Sequence, residues 1–297
     1  MRFLFRIFIL TVAICVFSAI HLQAQQASCT FKTWVLNPAD LNNPREQASG
    51  VNDNRTVVGV ASYTFNKPNF WGFVHYSSGQ ITYWYPANAK YSSFAGRNNF
   101  GNTVGNYTDT LGIRHAAYLH GSTTTLIVHP KAAHHSTWLA GINNLNTLLG
   151  GYIDSNGISH LFKRRSNGTF LSVPNFPGAK GTGEGGFNDN GVVVGTYNLS
   201  SDPKDFSHGF IYRNGSFATL NYRNKQTNTE LAGIDNNGVI VGNNWGNGFL
   251  YKNGVFKDIV GPNGALVTAR GISANGIITG DMWISGSGSH GFTATCQ

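Results

Sequence analysis

The sequence predicts an all-β fold, a six-bladed β-propeller made of four-stranded blades. Three observations lead to this prediction: a unit of roughly 45 residues that occurs six times, two hairpin signals in the units, and no sustained helical period. Only 11% of the residues are charged and 13% are aromatic. This composition excludes an intrinsically disordered chain and a helical bundle, and leaves enough apolar material for a large core.

The repeated unit begins with a Gly, an apolar residue and an Asn or Asp, and ends in a β-branched run that another Gly closes. Its copies begin at Gly50, Gly96, Gly141, Gly186, Gly233 and Gly271. The Asn or Asp caps a tight turn with its side chain, and Gly at the fourth turn position supplies a positive φ. Arg55 occupies that fourth position in the first copy, so we expect its turn to differ. Runs such as Val192-Val193-Val194 are predicted to be buried strands.

A second hairpin follows the first in the same unit. Its turns are Asn-Gly pairs, as at Asn167-Gly168, Asn214-Gly215 and Asn253-Gly254. Asn-Gly between two apolar runs is the strongest short signal for a β-hairpin. Each unit is therefore predicted to supply an inner pair of strands and an outer pair.

The sixth unit lacks its outer strand, and the missing strand is predicted to come from the other end of the repeat array. The segment that starts at Cys29 aligns with the outer strand that starts at Gly254, and Cys296 aligns with Asn253. We therefore expect a Cys29–Cys296 disulfide in place of the missing turn, closing the ring. The alternative is that Cys29 is a lipid-bearing N-terminal residue.

Residues 1–24 have the pattern of a signal peptide. Arg2 and Arg6 precede an apolar run over 7–20, and small residues follow near Ala24. The sequence thus predicts a single six-bladed propeller domain over 25–297, secreted or periplasmic and without a membrane span. That domain has 19 basic and 13 acidic residues, scattered along the chain, so we expect no nucleic-acid partner. We also expect the protein to be a monomer.

The third predicted strand of the units begins with a recurring signature, as at His115-Ala116-Ala117, His160-Leu161-Phe162, His208-Gly209-Phe210 and His290-Gly291-Phe292. With the Gly-x-Asn-x-x-Gly motif, this signature resembles the HAF-repeat extracellular proteins. Trp71-Gly72-Phe73 and Asn247-Gly248-Phe249 depart from it. The resemblance implies a secreted bacterial repeat protein and implies no reaction. We interpret the signature histidines as structural, each bonded to a loop at the start of the third strand.

Aromatic residues in the long connections are the candidate ligand-binding residues: Trp71, Trp138, Trp245, Trp283, Tyr107 and Tyr152. These connections share one face of a propeller, and aromatic rings with Asn, Ser and Thr neighbours suit sugar rings. We therefore expect a non-enzymatic binding or surface-interaction protein whose partner is a glycan or cell-envelope component. The competing interpretation is that these rings pack between blades.

Two alternatives to binding remain open. A carbohydrate-active hydrolase or lyase would use carboxylates of the connections, for which the candidates are Glu46, Glu184 and Glu230. A purely structural extracellular repeat protein would have no binding site.

The sequence predicts no cofactor and no metal. Gly-x-Gly-x-x-Gly occurs at 181–186 and 286–291, but each match precedes a strand, whereas dinucleotide binding needs a following helix. His129, His134 and His135 are a metal-ligand candidate without a nearby carboxylate, and we interpret them as surface-loop histidines.

Overall fold

The computed structural model describes residues 25–34, 46–62, 70–202, 206–224 and 227–297. Within these ranges, 24 strands form six antiparallel sheets of four strands, which are the six blades of a β-propeller. The predicted signal peptide, residues 1–24, lies outside the described residues. In the described part of the chain, no helix has the length and apolar character needed to cross a membrane.

The strands follow one another as antiparallel meanders from the axis outwards. The first described strand is β1 (Cys29–Trp34). Blade 1 contains β2 (Glu46–Val51), β3 (Val57–Ser62), β4 (Phe70–His75) and β5 (Ile81–Trp84). Blade 2 contains β6 (Ala89–Arg97), β7 (Thr103–Asp109), β8 (Arg114–His120) and β9 (Thr123–Ile127). Blade 3 contains β10 (Thr137–Ile142), β11 (Leu148–Ile153), β12 (Ser159–Arg164) and β13 (Phe170–Val173).

The second half of the ring has the same arrangement. Blade 4 contains β14 (Ala179–Phe187), β15 (Val193–Leu199), β16 (Ser207–Arg213) and β17 (Ser216–Thr219). Blade 5 contains β18 (Glu230–Ile234), β19 (Ile240–Asn244), β20 (Asn247–Lys252) and β21 (Val255–Asp258). Blade 6 contains β22 (Leu266–Ile272), β23 (Ile277–Ile284) and β24 (Gly288–Cys296). Two 3-10 turns, Tyr222–Asn224 and Pro262–Gly264, lie in the connections on either side of blade 5.

Strand β1 completes blade 6, as the sequence predicts. It pairs antiparallel with β24, from Cys29 opposite Cys296 to Trp34 opposite Gly291. Cys29 and Cys296 form a disulfide across a sequence separation of 267. The predicted closure of the ring is therefore confirmed.

The turn between the first and second strands of a blade, the inner turn, is held by its first side chain. In blade 4, Oδ1 of Asn188 accepts the main-chain N–H of Val192 at 3.0 Å. In blade 1, Oδ1 of Asn52 accepts the N–H groups of Asn54 and Thr56 at 3.1 and 2.9 Å. Arg55 has φ 58°, so it adopts the left-handed conformation of the glycines at this position, and the expectation of a different first turn is wrong.

The inner turns are also bonded to one another around the ring. In blades 1 to 4, the first-position side chain donates from Nδ2 to the main-chain oxygen of its counterpart in the next blade: Asn52 to Asn98 (3.1 Å), Asn98 to Asn143 (3.1 Å), Asn143 to Asn188 (3.2 Å) and Asn188 to Asp235 (2.9 Å). At the second position, side-chain oxygens of Asn99, Asn144, Asp189 and Asn236 accept the main-chain N–H of the preceding blade. The repeated Asn therefore stabilises both its own turn and the contact between blades.

The first Gly of each repeat lies where the inner strands converge on the axis. All six inner strands shift register just before this residue, at a β-bulge. A Cβ on Gly186 would lie 3.0 Å from Gly233 Cα, and one on Gly96 would lie 3.1 Å from Gly141 Cα. The strands approach so closely that the axial depressions measure only about 50 and 80 Å³. The repeated glycines are thus required for close approach of neighbouring backbones.

The core consists of layers between adjacent blades. The aromatic residue that ends the signature of the third strand is fully buried in five blades, as Phe73, Phe162, Phe210, Phe249 and Phe292. Ala117 is the buried counterpart in blade 2.

The propeller has two faces, on which the connections between strands lie. The turn face carries the inner turns and the turns between third and fourth strands, and the loop face carries all the other connections.

Candidate functional site

The signature histidines pair with aspartates of the loop before the third strand. Nε2 of His115, His160 and His208 lies 2.9, 2.8 and 3.1 Å from Oδ2 of Asp109, Asp154 and Asp202, respectively. His290 pairs instead with the Ser287 hydroxyl at 2.8 Å. The interpretation that these histidines fix a loop is confirmed. The hydrogen bond from His115 keeps the pKa of Asp109 below the usual range of an aspartate, and the bond from His160 does the same for Asp154.

Tyr107 and Tyr152 stack on these histidines. Tyr107 lies 4.5 Å from the ring of His115 and is half-buried. Tyr152 is only 8% exposed and lies between the rings of His129 and His160, at 3.7 and 4.9 Å. Because both ring faces of Tyr152 are covered, it cannot offer a stacking surface to a ligand.

Trp71 and Trp138 are half-buried at the loop face. Trp71 makes an edge-to-face contact with Tyr85, with centroids 4.8 Å apart. Trp138 lies over Gly151, where a Cβ would come within 2.2 Å of the indole ring. The guanidinium of Arg114, in blade 2, lies 5.7 Å from the centroid of the Trp138 ring.

Trp138 fixes the carboxylate of Glu184 in the next blade. Its Nε1 donates a 2.5 Å hydrogen bond to Oε1 of Glu184. Burial raises the pKa of Glu184, and the bond from Trp138 and the charge of Arg114 oppose this rise in part. Arg114, Trp138 and Glu184 thus connect blades 2, 3 and 4 near the loop face.

Two of the three predicted carboxylates are brought together. Glu184 and Glu230 line one depression of about 290 Å³ that spans blades 4 to 6, which we name the blade 4–6 depression. Its polar lining also includes Thr196, Ser207, Asn243 and Arg270. Glu46, the third candidate, is the first residue of β2 in blade 1.

Arg270 and Asn243 were not among the site residues predicted from the sequence. Arg270 occupies the bulge position that is Ala95, Ala140 and Ala232 in other blades, and it forms a salt bridge with Asp281 of the same sheet. The side chain of Asn243 forms two hydrogen bonds, both of 2.9 Å, with the main chain of Ala269. The sequence could have indicated Arg270, because an Arg stands there in place of the small residues of other repeats. It could not have indicated Asn243, because the contact of that amide depends on the distance between blades.

Trp245 and Trp283 are the most exposed of the predicted aromatic residues. Trp245 is 64% exposed in the connection between β19 and β20, where its Nε1 donates to Thr227 Oγ1 at 2.8 Å. Trp283, in β23 of the next blade, is 57% exposed and pairs with Leu266, which is 63% exposed. Thr268 of blade 6 donates to the oxygen of Gly246 at 3.2 Å, which joins the two regions. These apolar side chains lie on the loop face of adjacent blades.

The three candidate metal-ligating histidines do not form a metal site. His129 is buried against Tyr152 and Phe162, and its Nδ1 accepts the N–H of Lys131 at 3.2 Å. His134 and His135 are exposed in the connection between β9 and β10. Across the described ranges, no group of three or more His, Cys, Asp or Glu is placed to hold a metal ion. His129 is therefore an interior residue rather than the surface-loop histidine that we expected.

No protein-family model matches the chain, and no curated protein matches it. Among solved structures, it is similar to the β-propeller domain of the trilobed protease from Pyrococcus furiosus, at a TM-score of 0.50 and 10% identity, covering 83% of this chain and 79% of that one. That domain has an open velcro topology, whereas here β1 completes the last sheet. This likeness concerns the fold alone.

Two further solved structures match with lower TM-scores. A gluconolactonase from Xanthomonas campestris matches at a TM-score of 0.49 and 11% identity, covering 92% of this chain and 97% of that one. The Aleuria aurantia lectin, in complex with α-methyl-L-fucoside, matches at 0.46 and 12%, covering 84% and 94%.

Proposed function

We propose that the protein is a secreted, non-enzymatic binding propeller of the HAF-repeat type, and that its ligand is a glycan of a cell envelope. The observation that carries this proposal is the exposure of Trp245 and Trp283 on one face of adjacent blades. A soluble domain gains nothing in stability from indoles held in water, so exposed Trp residues on a rigid scaffold indicate a contact surface.

The chemistry of this surface suits a sugar chain. The C–H face of a pyranose stacks on an indole ring, and its hydroxyl groups need donors and acceptors close by. The adjacent blade 4–6 depression supplies Thr196, Ser207 and Asn243 for that purpose. A glycan lying across blades 4 to 6 would contact both kinds of group.

The experiment is a glycan array followed by calorimetric titration of the best ligand. We expect Trp245→Ala and Trp283→Ala each to weaken binding about tenfold or more, since one aromatic contact contributes about 1–3 kcal/mol. Phe100→Ala is the matched control, because Phe100 is 72% exposed on the turn face. Equal binding by the wild type and the double Trp variant would refute the proposal, as would an array without a signal.

The blade 4–6 depression also favours a second candidate function, an acid–base hydrolase or lyase acting on a polysaccharide. Glu184 and Glu230 line the same depression, and burial raises the pKa of Glu184, as a general acid requires. Glu184 would donate the proton and Glu230 would act as base or nucleophile.

This candidate is tested by turnover of a polysaccharide panel, measured as new reducing ends or unsaturated products. Glu184→Gln and Glu230→Gln should each abolish turnover. Trp138→Phe removes a hydrogen bond that lowers the pKa of Glu184, so it should shift the alkaline limb of the pH profile, which reports the general acid, to higher pH. Turnover that survives both Gln variants would exclude these residues. Neither binding nor turnover in any assay would favour the purely structural alternative.

A further inference from the structure

Arg97 interrupts the repeat at a position that is otherwise apolar. The residue between the first Gly and the turn Asn, Asp or Ser is apolar in the other five blades, as Val51, Ile142, Phe187, Ile234 and Ile272. Arg97, at the end of β6, is half-buried there. A charged side chain in an apolar position costs solvation free energy unless it is paired or hydrogen-bonded.

The guanidinium of Arg97 has no acidic partner among the described residues. Its Nη1 donates to Thr103 Oγ1 at 2.6 Å, and its Cζ lies 5.7 Å from the ring centroid of Tyr76. By contrast, Arg223 and Arg270 pair with Asp258 and Asp281. Burial lowers the pKa of Arg97, because the charge is poorly solvated. Most of the five N–H donors of this side chain are left for a ligand.

A cavity of about 180 Å³ adjoins this guanidinium on the turn face, between blades 1 and 2. Its apolar walls are Val74, Trp84, Phe94 and Leu119. The rings of Trp84 and Phe94 stack with centroids 4.8 Å apart. Arg97 and Thr103 form part of the lining. The positively charged guanidinium of Arg97 therefore borders a cavity with aromatic and aliphatic walls.

We propose that this cavity binds a small amphipathic anion, an aromatic carboxylate in the simplest form. Arg97 would hold the two carboxylate oxygens in a bidentate pair, which is the geometry that a guanidinium favours. The Thr103 hydroxyl lies beside this pair and positions the guanidinium. The aromatic body of the ligand would lie against Trp84 and Leu119, where it leaves water.

This site is independent of the glycan surface. It lies on the turn face of blades 1 and 2, whereas Trp245 and Trp283 lie on the loop face of blades 5 and 6. Either proposal can therefore fail without the other.

The test is titration with benzoate and 2-naphthoate, followed by calorimetry and by the fluorescence of the tryptophans. We expect saturable binding that weakens as salt rises, and at least tenfold weaker binding of benzamide, the neutral analogue of benzoate. Arg97→Gln should weaken carboxylate binding at least tenfold. Arg55→Gln is the matched control, because Arg55 is an exposed arginine of the same face, and it should bind like the wild type.

A second variant separates loss of the site from loss of the fold. Leu119→Trp keeps Arg97 and fills the cavity, so it should also abolish binding while the Tm and far-ultraviolet circular dichroism stay close to wild type. The proposal is overturned if neither carboxylate binds the wild type, if Arg97→Gln or Leu119→Trp binds as the wild type does, or if benzamide binds as tightly as benzoate.

Discussion

Asn188 donates a hydrogen bond of 2.9 Å from Nδ2 to the main-chain oxygen of Asp235, its counterpart in the next blade. Asp235 cannot continue the series towards Ser273 when it is ionised, because a carboxylate has no proton to donate. Its carboxylate accepts the N–H groups of Asn237 and Val239 within its own turn. The ring of side-chain bonds that begins at Asn52 therefore ends at blade 5.

Asp235→Asn should stabilise the protein. The amide would keep the turn bonds and gain a donor directed at blade 6, as in the preceding blades, for an expected gain of about 0.5–1.5 kcal/mol. Chemical denaturation at pH 7 measures this gain in the free energy of unfolding. Asn188→Asp is the matched control, which removes a donor and should destabilise by about 1–3 kcal/mol. A loss of stability in Asp235→Asn would show that the carboxylate itself is needed.

The glycines at the axis can be tested by adding one methyl group. Gly186→Ala would place its Cβ 3.0 Å from the Ala232 oxygen and from Gly233 Cα, both main-chain atoms. We expect a loss of about 1–3 kcal/mol from overpacking. Gly181→Ala, in the same strand β14, has no atom within 4 Å of its Cβ and should leave the denaturation midpoint unchanged or slightly raised. Equal midpoints for both variants would contradict the close approach.

Removal of the disulfide should have a large effect on stability. Cys29→Ser with Cys296→Ser frees a loop with a sequence separation of 267, for which the chain-entropy model gives a loss of about 5 kcal/mol. The double variant and the reduced wild type should show the same loss of stability in thermal and chemical denaturation. Peptide mapping of the unreduced protein should find the Cys29–Cys296 linkage, and free thiols there would contradict the closure.

Acid should destabilise the protein through two buried imidazoles. Burial, with smaller contributions from neighbouring positive charges, holds the pKa of His75 and His129 below 6.5. The unfolded chain therefore binds protons at a higher pH than the folded one, so stability falls as the pH falls from about 6.5 towards the folded pKa values. Tm values measured from pH 7.5 to 5.5 should decrease.

A pair of variants isolates this contribution. His129→Phe should flatten the decrease in Tm, whereas His134→Phe, at an exposed position, should keep the wild-type slope. Buried carboxyls act with the opposite sign: burial raises the pKa of Glu184 and Asp235, so their contribution to stability rises as the pH falls towards 4.5 and 3.8. An unchanged slope in His129→Phe would show that the folded and unfolded chains bind protons equally at His129, so that folding does not lower its pKa.

The fold was predictable because the repeat encodes its own turns. Asn and Gly at fixed positions define the inner turns, and the alignment of Cys29 with Gly254 is enough to place β1 in blade 6. Arg55 misled the prediction, because an Asn-capped turn can hold a non-glycine residue at φ 58°. The bonds from one inner turn to the next required the distance between blades, which no single repeat contains.

The candidate site was only partly predictable. Tyr152 and Trp245 were both predicted to bind a ligand at the loop face, yet one is buried between two imidazoles and the other is exposed. Local sequence does not give this difference, since it depends on His129 and His160 beside Tyr152. Glu184 and Glu230 were identified individually, but their common depression arises from the curvature of the ring.

The pairing of β1 with β24 also determines the order in which the domain can assemble during synthesis. Blades 1 to 5 each consist of consecutive strands, so each sheet can form as soon as its own segment has been made. Blade 6 is different, because β1 is synthesised first and has to wait for β24, at the far end of the array. The nascent protein therefore remains an open arc with a bare edge on β1, and this edge is exposed to misassembly until the last strand arrives.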